Sequence, residues 1–179
     1  MKRKLLYVTL NLALLVFSLI TCVKAQTSNQ AIDVGDKVPQ FSLIDQDGKT
    51  FKTADYIGKK TLVIYFYPKD ESLVCTKEAC AFRDSFDEFT KAGALVIGIN
   101  GGTVESHKKF AQHYKLPFTL LSDPDNKVYH LFGIKSFMFM NGRKTFVVAK
   151  NGVITFSYDS MLQGKQHADD ALKFVKSQQ

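Results

Sequence analysis

The chain has 179 residues, of which 45% are hydrophobic and 23% charged, and its formal net charge at pH 7 is +7. This length suits one ordinary domain with a sufficient core and gives no reason to expect several domains. No run of lysine or arginine interleaves with aromatic residues, so we expect no nucleic-acid partner.

Residues 1–25 have the pattern of a secretory signal peptide. The basic start Lys2–Lys4 precedes an apolar run that ends at Val23, and the small residues Val23 and Ala25 suit a cleavage site. The run approaches the roughly 20 residues that a membrane helix needs, so an uncleaved anchor is the alternative, and a lipid on Cys22 is a third option. We predict an exported, periplasmic or otherwise extracytoplasmic protein, anchored to the membrane if this segment is retained.

Removing that segment changes the charge and the cysteine count. Residues 1–25 hold four basic residues and no acid, so the remaining 154 of the 179 residues carry a net charge of +3 rather than +7. Of the three cysteines only Cys75 and Cys80 remain. We expect residues 26–34 to form a flexible tether and residues 35–179 to form a single domain.

The predicted elements alternate between strands and helices. Residues 41–45 and 49–52 flank an Asp-Gly turn, which predicts an N-terminal β-hairpin. Residues 61–67 predict a central strand buried on both faces, because no polar residues alternate with the apolar ones. Strands are also predicted at 94–99, 118–121, 145–149 and 153–158, and helices at 75–90, 103–114, 122–132 and 166–176. This order indicates an α/β fold with a mixed central sheet, for which a thioredoxin-like three-layer arrangement is the natural candidate.

The helix predicted at 75–90 begins with a cysteine. Its apolar face comprises Cys75, Ala79, Phe82, Phe86 and Phe89, and the opposite, polar face comprises Lys77, Glu78, Asp84, Asp87 and Glu88. A thiol at a helix N-terminus feels the positive end of the macrodipole, which stabilises the nucleophilic thiolate. The alternative is that both thiols are small buried hydrophobes. Position and flanking residues favour the reactive thiol.

Helical geometry constrains the cysteine pair. Two residues five apart lie about 140° apart around the helix axis and about 7.5 Å along it, which is too far for a disulfide. Cys75 and Cys80 can therefore bond only after local unwinding, as in a cycle of sulfenic acid, disulfide and re-reduction. A non-enzymatic domain with a static Cys75–Cys80 disulfide is another hypothesis, and it would need the helix to begin after Cys80.

Other chemistries have weaker support. There is no C-x-x-C motif, which disfavours a thioredoxin-type dithiol donor, although a thiol-disulfide oxidoreductase acting on exported proteins remains the alternative function. We interpret the four scattered histidines as surface or locally satisfied residues, so no metal or cofactor is expected; they are His107, His113, His130 and His167. Tyr65, Phe66 and Tyr67 are expected in the core and the pocket walls.

At this point the residues carry a family resemblance. Pro68-x-x-x-Ser72-x-x-Cys75 resembles the peroxiredoxin active-site signature, with serine in the Thr/Ser position. The longer YPKDESLVCTKEACAFRD is similar to the bacterioferritin comigratory protein, or peroxiredoxin Q, subfamily, as are the segments 104–134 and 142–154. The similarity spans residues 33–175.

The resemblance implies an enzyme that reduces hydrogen peroxide and small organic hydroperoxides without a prosthetic group. It implies that Cys75 is peroxidatic, that Cys80 resolves it as an intramolecular disulfide, that Ser72 donates a hydrogen bond to the peroxide, that Pro68 shields the thiol and that Arg143 lies over the thiolate. A guanidinium there would stabilise the thiolate and the charge that develops as the O–O bond breaks. A thioredoxin-like donor would regenerate the thiols, and an exported enzyme would need an extracytoplasmic one. We expect a monomer, with a weak dimer as the alternative.

Two segments depart from the subfamily pattern. Asn100-Gly101-Gly102 replaces its usual Ser/Pro-Asp-Ser type of loop, so this loop is expected to have a different shape. Residues 135–142 are unusually apolar, and Phe137 to Met140 are expected either to form an exposed patch for a partner, a dimer or a membrane, or to line the pocket.

Overall fold

The computed structural model describes residues 31–179. The predicted signal peptide and most of the predicted tether lie outside the described residues. Within residues 31–179, no helix is both long and apolar enough to cross a bilayer.

A mixed seven-stranded sheet forms the centre of the described chain, in the order β2-β1-β5-β4-β3-β6-β7. β3 is parallel to β4 and β4 is parallel to β5, whereas the other neighbouring strands are antiparallel. The strands are β1 Ser42–Asp45, β2 Thr50–Lys52, β3 Thr61–Phe66, β4 Ala94–Asn100, β5 Thr119–Ser122, β6 Lys144–Val148 and β7 Ile154–Asp159. The sheet confirms the predicted mixed α/β architecture, including the β1–β2 hairpin.

Five α-helices and a 3-10 turn at Thr53–Asp55 connect the strands; the helices are α1 Leu73–Asp84, α2 Phe86–Lys91, α3 Val104–Tyr114, α4 Lys127–Leu131 and α5 Gly164–Ser177. The prediction of one helix over 75–90 is wrong, because the backbone leaves helical geometry at Ser85, with φ −101° and ψ 6°. Thr103 caps α3 as predicted, since its side chain accepts a hydrogen bond from the Ser106 N–H.

The core lies on both faces of the sheet. On one face Val63 and Tyr65 of β3 pack with residues of α1, α2, α3 and α5. On the other face Leu62 and Ile64 pack with α4 and the segment before β1. All four side chains have no exposed surface, which confirms the prediction of a strand buried on both faces.

One edge of the sheet collects the loops of interest. β3, β4 and β5 end there, and β6 begins there, because Phe66 pairs with Lys144 at the start of the antiparallel β6. β7 ends at the same edge, where Asp159 pairs with Lys144. We call it the carboxyl edge. Ligands of sheets with parallel strands bind outside such edges, so the loop before α1 and the loop before β6 meet where a site is expected.

Close packing joins α5 to the first turns of α1. A Cβ added at Gly164 would lie 2.5 Å from the Val74 carbonyl oxygen and 3.1 Å from the Glu78 Cβ. The absence of a side chain at Gly164 therefore lets α5 approach the helix that carries Cys75.

We predict that Gly164→Ala lowers the free energy of unfolding by about 1–3 kcal/mol, because backbone must move to admit the methyl group. Urea unfolding of the variant measures the change. Lys165→Ala, at the adjacent exposed position, serves as the control and should change stability by less than about 0.5 kcal/mol. Equal stability of the two variants would contradict the close-packing argument.

Candidate active site

Cys75 lies in the first turn of α1 and is buried, with 1% of its surface exposed, whereas Cys80 is half-buried. Both are free thiols within one continuous helix. The static disulfide hypothesis is therefore wrong for this conformation, since the intact helix holds the two residues too far apart to bond. Ser72 occupies the N-cap position, but its side chain makes no capping bond, and its hydroxyl donates to the Lys69 carbonyl at 3.2 Å.

A buried arginine contacts the thiol. Arg143 Nη2 donates to Cys75 Sγ at 3.1 Å, Nη1 donates to Glu78 Oε2, and Nε donates to the Met161 carbonyl at 3.2 Å. Only 2% of Arg143 is exposed. The backbone just before it is fixed, because the Gly142 N–H donates to Tyr129 Oη at 2.7 Å.

The environment of Glu78 differs from the predicted one. The helical wheel placed it on the exposed face of α1, yet it has no exposed surface. The wheel assumes one buried face, whereas the start of α1 is covered both by the sheet and by α5. No periodic signal marks such a residue; its only indication in the sequence is that an acid stands three positions after a candidate nucleophile.

Burial controls the charges around Arg143. Desolvation raises the pKa of Glu78 to about 8, against the opposing effect of Arg143. Desolvation also lowers the pKa of His167 to about 4, so His167 is neutral near pH 7. Its ring bonds Thr145 Oγ1 at 2.8 Å and the Ser160 carbonyl at 2.9 Å. One guanidinium can balance one negative charge. When Glu78 is protonated, the positive charge of Arg143 is available to a Cys75 thiolate.

A second buried network holds the loop before α1. The Asp70 carboxylate, 6% exposed, accepts hydrogen bonds from Tyr67 Oη at 2.7 Å and from Asn100 Nδ2 at 2.9 Å. Ser106 Oγ donates to it at 2.6 Å and His107 Nδ1 lies 2.8 Å from it. Burial acts to raise the pKa of Asp70, but the bonds from His107, Ser106 and Tyr67 outweigh it and hold that pKa below 3.8.

The network also explains the unusual loop that begins at Asn100. The Asn100 side chain joins the Asp70 network and accepts a bond from the Gly102 N–H. A Cβ at Gly102 would lie 2.8 Å from Asn100 Oδ1 and 2.9 Å from His107 Cε1. Glycine at 102 therefore leaves room for the polar cluster. The sequence does not reveal this cluster, because its members come from three separate segments.

The loop before α1 carries one strained residue. Glu71 has φ 59°, which is uncommon for a residue other than glycine. Its side chain bonds His113 at 3.1 Å, near the end of α3, while Asp70 bonds residues near the start of α3. Two successive acids thus fasten this loop along one helix.

The histidines are partly as expected. His107 and His167 are fully buried, so a surface position is wrong for them. Both ring nitrogens of His167 are bonded, to Thr145 and Ser160, which fits the locally satisfied alternative. His107 fits it only in part, because Nδ1 bonds Asp70 whereas Nε2 has no partner within residues 31–179. His113 and His130 are exposed. Within the described chain, no group of three or more His, Cys, Asp or Glu side chains is arranged to hold a metal ion.

An open groove of about 700 Å³ lies beside the loop before α1. Pro68 and Lys69 line one part of it, and Phe139, Met140 and Asn141 line another. Phe139 is fully exposed and Met140 is 51% exposed. The two alternatives for the apolar segment are therefore not exclusive, because its side chains are exposed and also border the groove.

Comparisons with known proteins show which sequences this chain resembles. A family model described as AhpC/TSA family matches residues 34–157. The chain is 48% identical over 148 residues to the chloroplastic peroxiredoxin Q of Gentiana triflora, covering 82% of this chain and 68% of that protein. It is 50% identical over 145 residues to the chloroplastic peroxiredoxin Q of Sedum lineare, covering 80% and 77%.

The fold of this chain is also similar to solved structures. Peroxidoxin BcpB from Mycobacterium tuberculosis matches with a TM-score of 0.78 and 32% identity, covering 83% of this chain and 99% of that one. A mutant of Xanthomonas campestris peroxiredoxin Q matches with a TM-score of 0.71 and 31% identity, covering 78% and 92%.

We predict that Glu78→Gln changes the pH dependence of the reaction with hydrogen peroxide. In the wild type, Glu78 ionises as the pH rises through about 8 and competes for Arg143, so the second-order rate constant should fall above that pH. In the variant the fall should be absent, because the amide stays neutral. Stopped-flow measurements between about pH 6 and pH 10 test this. Glu88→Gln, at an exposed site, should keep the fall; a fall that persists in Glu78→Gln would contradict the assignment.

We predict that Asp70→Asn lowers the free energy of unfolding by about 1.5–3 kcal/mol at pH 7, because an amide cannot accept all four bonds. The lowered pKa of Asp70 means that the carboxylate's contribution is present above pH 3.8 and is lost as the pH falls below that value. The difference from the wild type should therefore shrink in acid. Urea unfolding at several pH values measures it. Asp125→Asn, in an exposed pair with Lys127, is the control; a difference that does not depend on pH would refute this role of the carboxylate.

Proposed function

The chain belongs to the AhpC/TSA family, as a peroxide-reducing oxidoreductase of the peroxiredoxin Q type, and on that premise we propose that Cys75 and Cys80 carry its reaction. The observation that carries the proposal is the buried contact between Arg143 Nη2 and Cys75 Sγ. In the first step the Cys75 thiolate attacks the terminal oxygen of a hydroperoxide. The O–O bond breaks, the sulfur becomes a sulfenic acid, and the leaving oxygen takes a proton to give water or an alcohol.

Four surrounding groups have roles in that step. The Arg143 guanidinium stabilises the thiolate and then the charge on the leaving oxygen. The N–H groups at the start of α1 and the Ser72 hydroxyl hold the peroxide in line with the sulfur. The Ser72 hydroxyl must turn away from the Lys69 carbonyl to do so. Pro68 supplies a rigid wall without an N–H group between the thiol and the groove.

Resolution requires α1 to unwind locally. The Cys80 thiolate then attacks the Cys75 sulfenic sulfur, an intramolecular disulfide forms, and hydroxide leaves as water after protonation. Three features favour opening at the start of α1: Ser72 makes no side-chain cap, the first turn holds no acid, and Glu71 has positive φ. Deeper in α1, Ala79 and Phe82 are fully buried and hold the rest of the helix on the sheet. The opening is local unfolding that gates the cycle.

A thiol donor completes the cycle by reducing the disulfide through a mixed disulfide. We assign this role to a thioredoxin-like protein. Residues 1–25 have the residue pattern of an export signal, so the donor is an extracytoplasmic one. The peroxide substrates are hydrogen peroxide and small organic hydroperoxides.

Cysteine variants test the mechanism, with Cys22 replaced by serine in every protein so that it cannot substitute for Cys80. Cys75→Ser should abolish peroxide consumption. Cys80→Ser should consume one equivalent and then stall as a sulfenic acid, which intact mass detects as one added oxygen, whereas the parent should lose two hydrogens as the disulfide forms.

Arg143→Lys is the matched test of the arginine. It keeps a positive charge but loses the planar fork that reaches both Cys75 and Glu78, so the peroxide rate constant should fall about tenfold or more. Full steady-state turnover by Cys80→Ser would remove Cys80 from the mechanism, and an unchanged rate constant in Arg143→Lys would remove the contact that carries the proposal.

A further inference from the structure

Exposed apolar side chains are concentrated around the active site. Nine large apolar residues are exposed in residues 31–179, and six of them come from three segments at the carboxyl edge. These are Leu73 at the start of α1, Leu162 in the loop before α5, and Phe137, Met138, Phe139 and Met140 in the loop before β6. We call these six residues the apolar rim.

The centre of the rim is a tight turn. Phe137 and Met140 form two backbone hydrogen bonds with each other, at 2.9 and 3.0 Å, which leaves Met138 and Phe139 at the tip. Met138 is 76% exposed, and Phe139 is exposed over its whole side chain. Exposing four consecutive apolar side chains to water is unfavourable, and this free-energy cost is removed only when another surface covers them.

Three exposed lysines lie beside the rim. Lys69 lines the same groove as Phe139, Lys77 lies beside Leu162, and Lys135 is two residues before Phe137. All three lysines are exposed, and in the described part of the chain none has an acidic partner within 4.0 Å. The exposed acids of this edge include Glu71, which pairs with His113, and Asp159.

From this combination we propose that the apolar rim docks on an anionic lipid bilayer and presents Cys75 to acyl-chain hydroperoxides within it. Apolar and aromatic tips flanked by basic side chains suit the boundary between acyl chains and anionic headgroups, where lysines reach the headgroups while their neighbours are buried. A protein partner fits less well, because the cores of protein interfaces are depleted in lysine.

The groove lies between the rim and the loop that leads into α1. It is bordered by Phe139 and Met140 of the rim and by Pro68 of that loop, and Cys75 follows in the first turn of α1. Its volume of about 700 Å³ is large enough for part of an acyl chain. This inference rests on the proposed chemistry of Cys75. The acyl hydroperoxide transfers its terminal oxygen to the Cys75 thiolate, its O–O bond breaks, and after protonation the lipid leaves as an alcohol while the sulfur is oxidised to a sulfenic acid.

Tryptophan fluorescence tests the docking directly, because the chain contains no tryptophan. Phe139→Trp in the full chain should show a blue shift and quenching by brominated lipid when vesicles of phosphatidylglycerol and phosphatidylcholine are added. The response should weaken with vesicles of phosphatidylcholine alone and at high salt, since the lysines attract anionic lipid. Lys150→Trp, in the exposed turn between β6 and β7 at the opposite edge, should show neither change.

Substitutions at Met138 test the function. Asp tolerates the positive φ of Met138, which is 55°, so Met138→Asp adds a charge at the tip without straining the turn. It should lower the rate with phosphatidylcholine hydroperoxide in intact anionic vesicles by about tenfold or more, the loss expected for one buried side chain. The rate with hydrogen peroxide should be unchanged. Met138→Leu keeps an apolar tip and should retain both rates.

The outcomes are distinguishable. Loss of both rates in the unsubstituted chain would defeat the proposed peroxidase mechanism rather than the docking. Normal hydrogen peroxide turnover with no vesicle response of Phe139→Trp would overturn the docking. Dimerisation that Met138→Asp abolishes, without a vesicle response, would assign the rim to a second copy of the chain and would also overturn it.

Discussion

One buried guanidinium determines how the active site is built. Arg143 reaches both Cys75 and Glu78 from the start of β6, and a buried charge must be paired to be tolerated. One cation therefore faces two groups that can each carry a negative charge. Burial favours the neutral carboxyl, since it raises the pKa of Glu78 to about 8, so the charge of Arg143 is directed to the sulfur.

The surrounding fold holds the loop before α1 and the first turns of α1 in place around Arg143. Asp70 fastens the loop before α1 to α3, while Gly164 allows α5 to cover the first turns of α1. The same helix must open if Cys80 is to reach Cys75. Different parts of α1 meet these two requirements. The buried side chains of Ala79 and Phe82 hold the body of α1 on the sheet. Its first residue, Leu73, is exposed and follows a serine whose side chain makes no capping bond. Stability and the proposed redox cycle therefore depend on different parts of one helix.

The carboxyl edge carries both the exposed apolar side chains and the candidate active site. Its loops carry most of the exposed large apolar side chains of the described chain, and its centre holds the buried thiol. Exposing apolar residues in water is unfavourable, so their concentration around the entrance is most simply understood as a surface that is covered when the enzyme acts. The groove beside Pro68 adjoins the loop that leads into the helix carrying the thiol.

The sequence by itself determined the local features of this protein. The apolar run of β3, the Asp-Gly hairpin and the Thr103 cap depend on neighbouring residues, and helix spacing alone established that Cys75 and Cys80 cannot bond while α1 is intact. Only the tertiary structure decided that Glu78 is buried and that Asp70 accepts bonds from Tyr67 just after β3, from β4 and from α3. A single helical period assumes one buried face, and the contacts of a loop depend on residues 30 or more positions away. Residues so far apart in the sequence come into contact only because the sheet brings the ends of its strands to one edge.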